Sequence, residues 1–147
     1  MNLLLPTKIK RADKRFPLPQ YETKGSIAFD IYSRVPYILE PNTFVRLPTN
    51  LIIAVPYGVG LFVLSRSSTF SKCHCILTNA VGLIDSDYRG NEDEILIELL
   101  NLGDAPIEIE PGKRIAQGCA MQVYRLLWDE TDDMDSVSRG GFGSTGE

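Results

Sequence analysis

Proline and glycine cut this chain roughly every ten residues, and that punctuation sets the tightest limit on what it can fold into. Between the breaks lie short apolar runs: "SIAFDIYS" (26–33), "TFVRL" (43–47), "LIIAV" (51–55), "GLFVLS" (60–65), "EILIELL" (94–100), "PIEIE" (106–110) and "AMQVYRL" (120–126). Pro41, Pro48, Pro56, Gly58, Gly60, Gly103 and Gly112 separate them. Runs of this length suit strands. In the first, Ile27, Phe29 and Ile31 alternate onto one face. No window of a dozen residues keeps a helical period. The spacing predicts an all-β single domain, a sandwich, jelly roll or small barrel, with helix a minor component.

At 147 residues with 44% apolar content, the chain is long enough for one real core. A net charge of -4 argues against a nucleic-acid partner, since such proteins are usually basic. The longest apolar stretch, 50–64, is interrupted by Pro56, Gly58 and Gly60, so no membrane span is expected. The N-terminal "MNLLLPTKIKR" runs from apolar to basic, the reverse of a secretory signal. Three cysteines, an odd number, fit reduced thiols in a cytoplasmic compartment. Two of them flank the only histidine in "KCHC" (72–75). With Cys119 they would complete a four-ligand set, but an extended segment puts Cys73 and Cys75 on one face and His74 on the other. Buried thiols beside a surface histidine are the expected reading.

Two charge runs bracket the chain. "KIKRADKR" (8–15) reads as a solvated strand edge, and "WDETDDMD" (128–135), five acids in eight residues, as a mobile linker. These runs divide the chain into a body over 1–127, an acidic linker over 128–138 and a glycine-rich tail over 139–147. Four glycines in that tail make ordering costly, yet Phe142 is a large apolar ring that a solvated end has little reason to keep.

Chemistry concentrates in "TNAVGLIDSDYRG" (78–90), where Val81, Leu83 and Ile84 lead into Asp85, Asp87, Tyr88 and Arg89. Gly82 permits close backbone approach, and "DSDYRG" has the composition of a turn. A hairpin here would offer main-chain N–H and C=O groups to a planar base edge. The plainer alternative is a β-turn whose acids face water. Upstream, "LSRSSTFSK" (64–72) sets one arginine among serines, the hydroxyls and guanidinium fork that an oligophosphate needs. Downstream, "PGKRIAQ" (111–117) joins a Pro-Gly turn, two cations and Gln117 at the start of a further strand.

Taken in order, "AFD" (28–30), "SRSS" (65–68), "GLIDSDYRG" (82–90), "PGKRIAQ" (111–117) and "RGGFGSTG" (139–146) resemble the five motifs of the trimeric dUTPase family. The resemblance runs from about residue 20 to the C-terminus. It implies a β jelly roll, a homotrimer with C-terminal arms exchanged between subunits, and hydrolysis of dUTP to dUMP and pyrophosphate with Mg²⁺ on the phosphates. Residue by residue, it implies that Asp85 activates the attacking water at the α-phosphorus and holds the 3′-hydroxyl. Tyr88 would pack under the sugar and refuse a 2′-hydroxyl. Asn79, Gly82, Leu83 and Ile84 would read uracil's edge. Arg66, Ser67, Ser68 and Gln117 would take the phosphates, with Ser67 on the leaving oxygen. Asp30 would act on the metal indirectly, through water. In the tail, Phe142 would stack on uracil while Gly143, Ser144 and Thr145 wrap the γ-phosphate. Arg139 would reach the phosphates too, although it stands three positions before Phe142 where the family has five.

Two other readings follow from the same residues. "RSS" (66–68) and "ILIELLN" (95–101) also resemble the dCTP deaminases, in which a glutamate placed like Glu98 activates water against the base, so a deaminase or bifunctional enzyme is the first alternative. The second is a dUTPase-like module that binds and regulates other proteins without catalysis. Asp85, Tyr88 and Phe142, all present, favour the hydrolase.

Overall fold

Each short apolar run finds its partner far away in sequence, and the result is a set of antiparallel ladders wrapped around one core. The computed structural model describes residues 4–141. In its first half the strands are β1 (Lys8–Arg11), β2 (Phe29–Tyr32), β3 (Tyr37–Leu39), β4 (Phe44–Pro48), β5 (Leu51–Ala54) and β6 (Val59–Leu64). A short helix α1 (Thr69–Cys73) follows, and then β7 (Cys75–Leu77), β8 (Gly82–Ile84), β9 (Leu96–Asn101), β10 (Ile107–Ile109) and β11 (Arg114–Gln122). The ladders run β2-β11-β6-β8, β4-β9-β7, β1-β5 and β10-β3. This is a β jelly roll.

Side-chain alternation explains which faces meet. Along β9, Ile97, Leu99 and Asn101 are buried, while Leu96, Glu98 and Leu100 point away from the core. Ile31, Leu39, Leu47, Leu61, Ile95 and Ile109 form its driest part. Asn101 is buried without cost to the fold because its amide donates to the carbonyls of Leu39 (3.0 Å) and Ala105 (2.9 Å). Its Oδ1 accepts from the Gly103 amide at 2.8 Å, which anchors the loop into β10.

β11 is one of the two interior strands of its sheet, paired to β2 on one side and β6 on the other. Its middle is made of small residues for a reason. A Cβ at Gly118 would stand 2.6 Å from the Phe29 ring, so only glycine lets that ring lie across the strand.

Three local expectations change. Ile27 lies outside β2 and is 80% exposed, so burial begins only at Phe29, and Phe29, Asp30 and Ile31 are all buried rather than alternating. The strand expected at 120–126 begins earlier, at Arg114, and ends at Gln122; Gln117 therefore sits inside a strand rather than at its start. Residues 72–75 are not extended. Cys73 ends α1, His74 turns the chain at φ 51°, and Cys75 opens β7. Cys75 and Cys119 are buried and Cys73 half-buried.

Candidate active site

The phosphate-type residues gather because three strands place them in one row. Gln117 on β11 is directly opposite Asp30 on β2 and Leu64 on β6, so these three side chains share a face. Two residues beyond Leu64, Arg66 turns onto the same ground. Its Nε donates to Asp30 Oδ1 at 2.6 Å, and Arg114 Nη1 donates to Asp30 Oδ2 at 3.1 Å. Asp30 is almost fully buried, and the two guanidiniums answer its charge. Gln117 Nε2 donates to the Ser65 carbonyl at 2.9 Å and holds the end of β6.

The loop after β6 is a tight local structure. The Arg66 amide donates to Thr69 Oγ1 (3.1 Å), and the Thr69 amide returns to the Arg66 carbonyl (3.0 Å). That reciprocal pair exposes Ser67 at the apex, and Ser68 caps α1 with its backbone alone. Arg66, Ser67, Ser68, Gln117 and Asp30 are thus brought together in one chain.

A second group stands on the edge strand β8. Val63 faces Gly82 across the ladder, and a Cβ at Gly82 would lie 3.1 Å from Val63 Cβ, which is why this hairpin packs so closely on β6. Ala80 takes a left-handed φ of 57°, reversing the chain after Asn79. Beyond the turn, Val81, Leu83 and Asp85 alternate outward, with Leu83 64% exposed, while Gly82 and Ile84 face the body. Asp85 is exposed, and its carboxylate accepts no hydrogen bond among the described residues. The Tyr88 amide donates to the Asp85 carbonyl (3.2 Å) and closes the turn.

Glu94, which the sequence reading left without a role, fastens this turn. Its carbonyl accepts from Tyr88 Oη at 3.1 Å, and its carboxylate binds Arg34 in a fork at 2.9 and 2.8 Å. The same carboxylate accepts from the Asn50 amide at 2.6 Å. Arg114, one of the two cations of "PGKRIAQ", is the other residue here to which no motif gives a role. The only signal for either was a charged residue flanking a strand, which is too common to be selective.

Asp85 and Tyr88 on the hairpin share no hydrogen bond or ion pair with Arg66, Ser67, Ser68 or Gln117 among the described residues. The antiparallel register sets Gly82 opposite Val63 and Ile84 opposite Leu61, so the chain runs Asp85 away from the end of β6 that leads to Arg66, and the two groups stand as two half-sites. Arg139 lies on an exposed stretch without regular structure, and Phe142, Gly143, Ser144 and Thr145 fall outside the described residues.

Glu98 belongs to neither half-site. It lies on β9 opposite Arg46 of β4, and its carboxylate is held by Thr78 Oγ1 (2.7 Å) and by the Arg46 guanidinium. The Thr78 hydroxyl, followed by Arg46, keeps it below the ordinary carboxylate range. A carboxylate held in this way acts as a structural tie, which does not favour the deaminase reading.

A cationic, hydroxyl-lined row on one face and an unengaged carboxylate on a glycine hairpin are the equipment of an enzyme that hydrolyses a nucleotide's phosphate chain. The comparisons narrow this. The dUTPase family profile matches residues 14–146. The deoxyuridine 5′-triphosphate nucleotidohydrolase of Dictyoglomus turgidum is 41% identical over 144 residues, covering 94% of this chain and 96% of that protein. Among solved structures, a mutant dUTPase of Staphylococcus bacteriophage 80alpha with dUpNHpp superposes with a TM-score of 0.85 at 24% identity, covering 97% and 99% of the two chains. A mutant dUTPase from phage phi11 of S. aureus, described as coordinating a structural Mg(II) ion, gives a TM-score of 0.78 at 19% identity over 90% and 100%. At such identities these two speak for the fold alone. The chain belongs to the dUTPase family, and it is a hydrolase acting on dUTP.

Proposed function

We propose that dUTP is cut to dUMP and pyrophosphate at a site assembled from the two half-sites of neighbouring copies, in a homotrimer. The observation that carries this reading is the separation just described: each half lacks what the other supplies. Apolar side chains beyond β11 support the assembly. Leu127 is 98% and Trp128 82% exposed, and burying a side chain of that size stabilises by about 1.5–3 kcal/mol.

In this reading the Asp85 carboxylate takes a proton from water as the oxygen attacks the α-phosphorus. The bond to the bridging oxygen breaks, and the electron pair leaves with pyrophosphate. A positioned base is worth about 10²–10⁴ in rate. Arg66, held rigid by Asp30, meets the developing charge on the phosphates without reorganising, and Ser67 offers its hydroxyl to the leaving oxygen. Tyr88, tethered through Glu94, presents its ring to the sugar. Asn79 and the backbone of Gly82, Leu83 and Ile84 present uracil-sized hydrogen-bonding groups at the hairpin edge. Phe142, Gly143, Ser144 and Thr145 would close over the nucleotide, and Arg139 would approach its phosphates.

Magnesium fits this site as a companion of the substrate. No group of three or more His, Cys, Asp or Glu side chains that could hold a metal gathers among the described residues, and Mg²⁺ usually binds through one or two carboxylates plus substrate phosphates. Asp30 would act through water, using the lone pairs its two guanidinium partners leave free. When bound, the ion offsets phosphate charge.

Purified protein incubated with Mg²⁺ and each of dUTP, dCTP, UTP and dTTP tests the reading. Pyrophosphate from dUTP alone is expected. Ammonia from dCTP, or no turnover at all, would contradict it.

A further inference from the structure

Behind the loop that carries Arg66 lies a cavity of about 250 Å³, most of whose lining has no part in the chemistry of dUTP cleavage. Leu99, Ile109 and Ile115 contribute apolar wall. Arg66, Lys72, Lys113 and Arg114 also line it, and among the described residues no carboxylate does. Ser67, Gln117, Asp85 and Tyr88 are absent from its lining, so it meets the substrate groups only at Arg66 and Ser68.

The charge balance is one-sided. Asp30 answers the two arginines, helped by Glu22 at 3.9 Å from Arg114. Neither lysine has an ion-pair partner among the described residues; Lys113 Nζ donates to the Glu108 carbonyl at 2.5 Å, which carries no net charge. A concave, low-dielectric wall with unanswered cations focuses positive potential into the space it encloses. Water alone satisfies the lysines but leaves the aliphatic wall wet, whereas an anion with an apolar body satisfies both.

We propose that this cavity is a binding site for a small amphipathic anion, its carboxylate, sulfonate or phosphate group meeting Lys72 and Lys113 and its apolar body resting on Leu99, Ile109 and Ile115. The site stands on the cavity's own walls and does not depend on the phosphate role of Arg66.

Cys73, half-buried in the cavity wall, reports on occupancy in the full-length protein. Labelling rates are measured with the anionic 2-sulfonatoethyl methanethiosulfonate and the cationic trimethylammonioethyl analogue, normalised to a short cysteine peptide, with the modified residue identified by peptide mass spectrometry. At Cys73 the anionic reagent should be favoured about tenfold or more. 8-Anilinonaphthalene-1-sulfonate should slow that labelling saturably. Lys72→Glu with Lys113→Glu should reverse the preference at an unchanged circular dichroism spectrum. If that pair fails to fold, the single exposed change Lys72→Gln should still reduce the preference. Equal rates for the two reagents, labelling indifferent to the sulfonate, or a preference that survives loss of Lys72 would each overturn the proposal.

Discussion

Arg66 Nε and Asp30 Oδ1 stand 2.6 Å apart across 36 positions of sequence, and the second oxygen of Asp30 takes Arg114 at 3.1 Å. One buried carboxylate thereby fixes the direction of a guanidinium whose fork would otherwise be free to swing. Asp30→Asn keeps the shape and removes the charge that holds it. A misplacement of about 1 Å at such a group can cost roughly 10²-fold. Steady-state kinetics should show kcat/KM for dUTP reduced on that order, while the urea midpoint falls much less than activity does. Unchanged kcat/KM would remove the positioning role.

Asp85→Asn should leave binding of a non-hydrolysable dUTP analogue close to that of the parent protein and lower kcat by about 10²–10⁴. Titration calorimetry and initial rates separate the two effects. A parent-like kcat would exclude Asp85 as the base.

Gly118→Ala tests the packing of β11. The added methyl meets the Phe29 ring at 2.6 Å, and overpacking of this kind costs about 1–3 kcal/mol. Urea unfolding should report a loss in that range, and a neutral result would mean the ring moves freely.

Cys75 gives a pH dependence. Burial first, and the neighbouring Cys73 next, push its thiol up from 9.0 to about 11 against a weaker opposing pull from Lys113. The folded state therefore holds the proton more tightly than the unfolded chain. This contribution is complete below about pH 9 and lost as pH rises toward 11. Urea midpoints measured over that window should fall with pH, and Cys75→Ala should flatten that part of the slope.

The strand-and-turn architecture was readable because it rests on local chemistry: prolines and glycines end runs that alternate or stay apolar. Legibility failed where tertiary context decides. Ile27 continues the alternation of 29 and 31, yet among the described residues little covers it. The start of β11 carries no local strand signal because Gly118 is demanded by the Phe29 ring across the ladder, while Tyr124, Arg125 and Leu126 of the expected 120–126 run lie exposed beyond the strand's end. In the site, Asp85, Tyr88 and Arg66 were visible as motifs. The Asp30–Arg66–Arg114 clamp and the Glu94 tether join residues dozens of positions apart, and no local pattern announces such pairs.

Two copies of the chain must complete one site for this chemistry to run. The direct measurement mixes two variants, Asp85→Asn and Arg66→Ala, each expected to be strongly impaired alone, after unfolding and joint refolding so that subunits exchange. dUTP hydrolysis should reappear in the mixed assemblies, because some sites then pair an intact Asp85 with an intact Arg66 from different chains. Mixed assemblies that form, as native mass spectrometry would show, yet remain as inactive as the separate variants would contradict it.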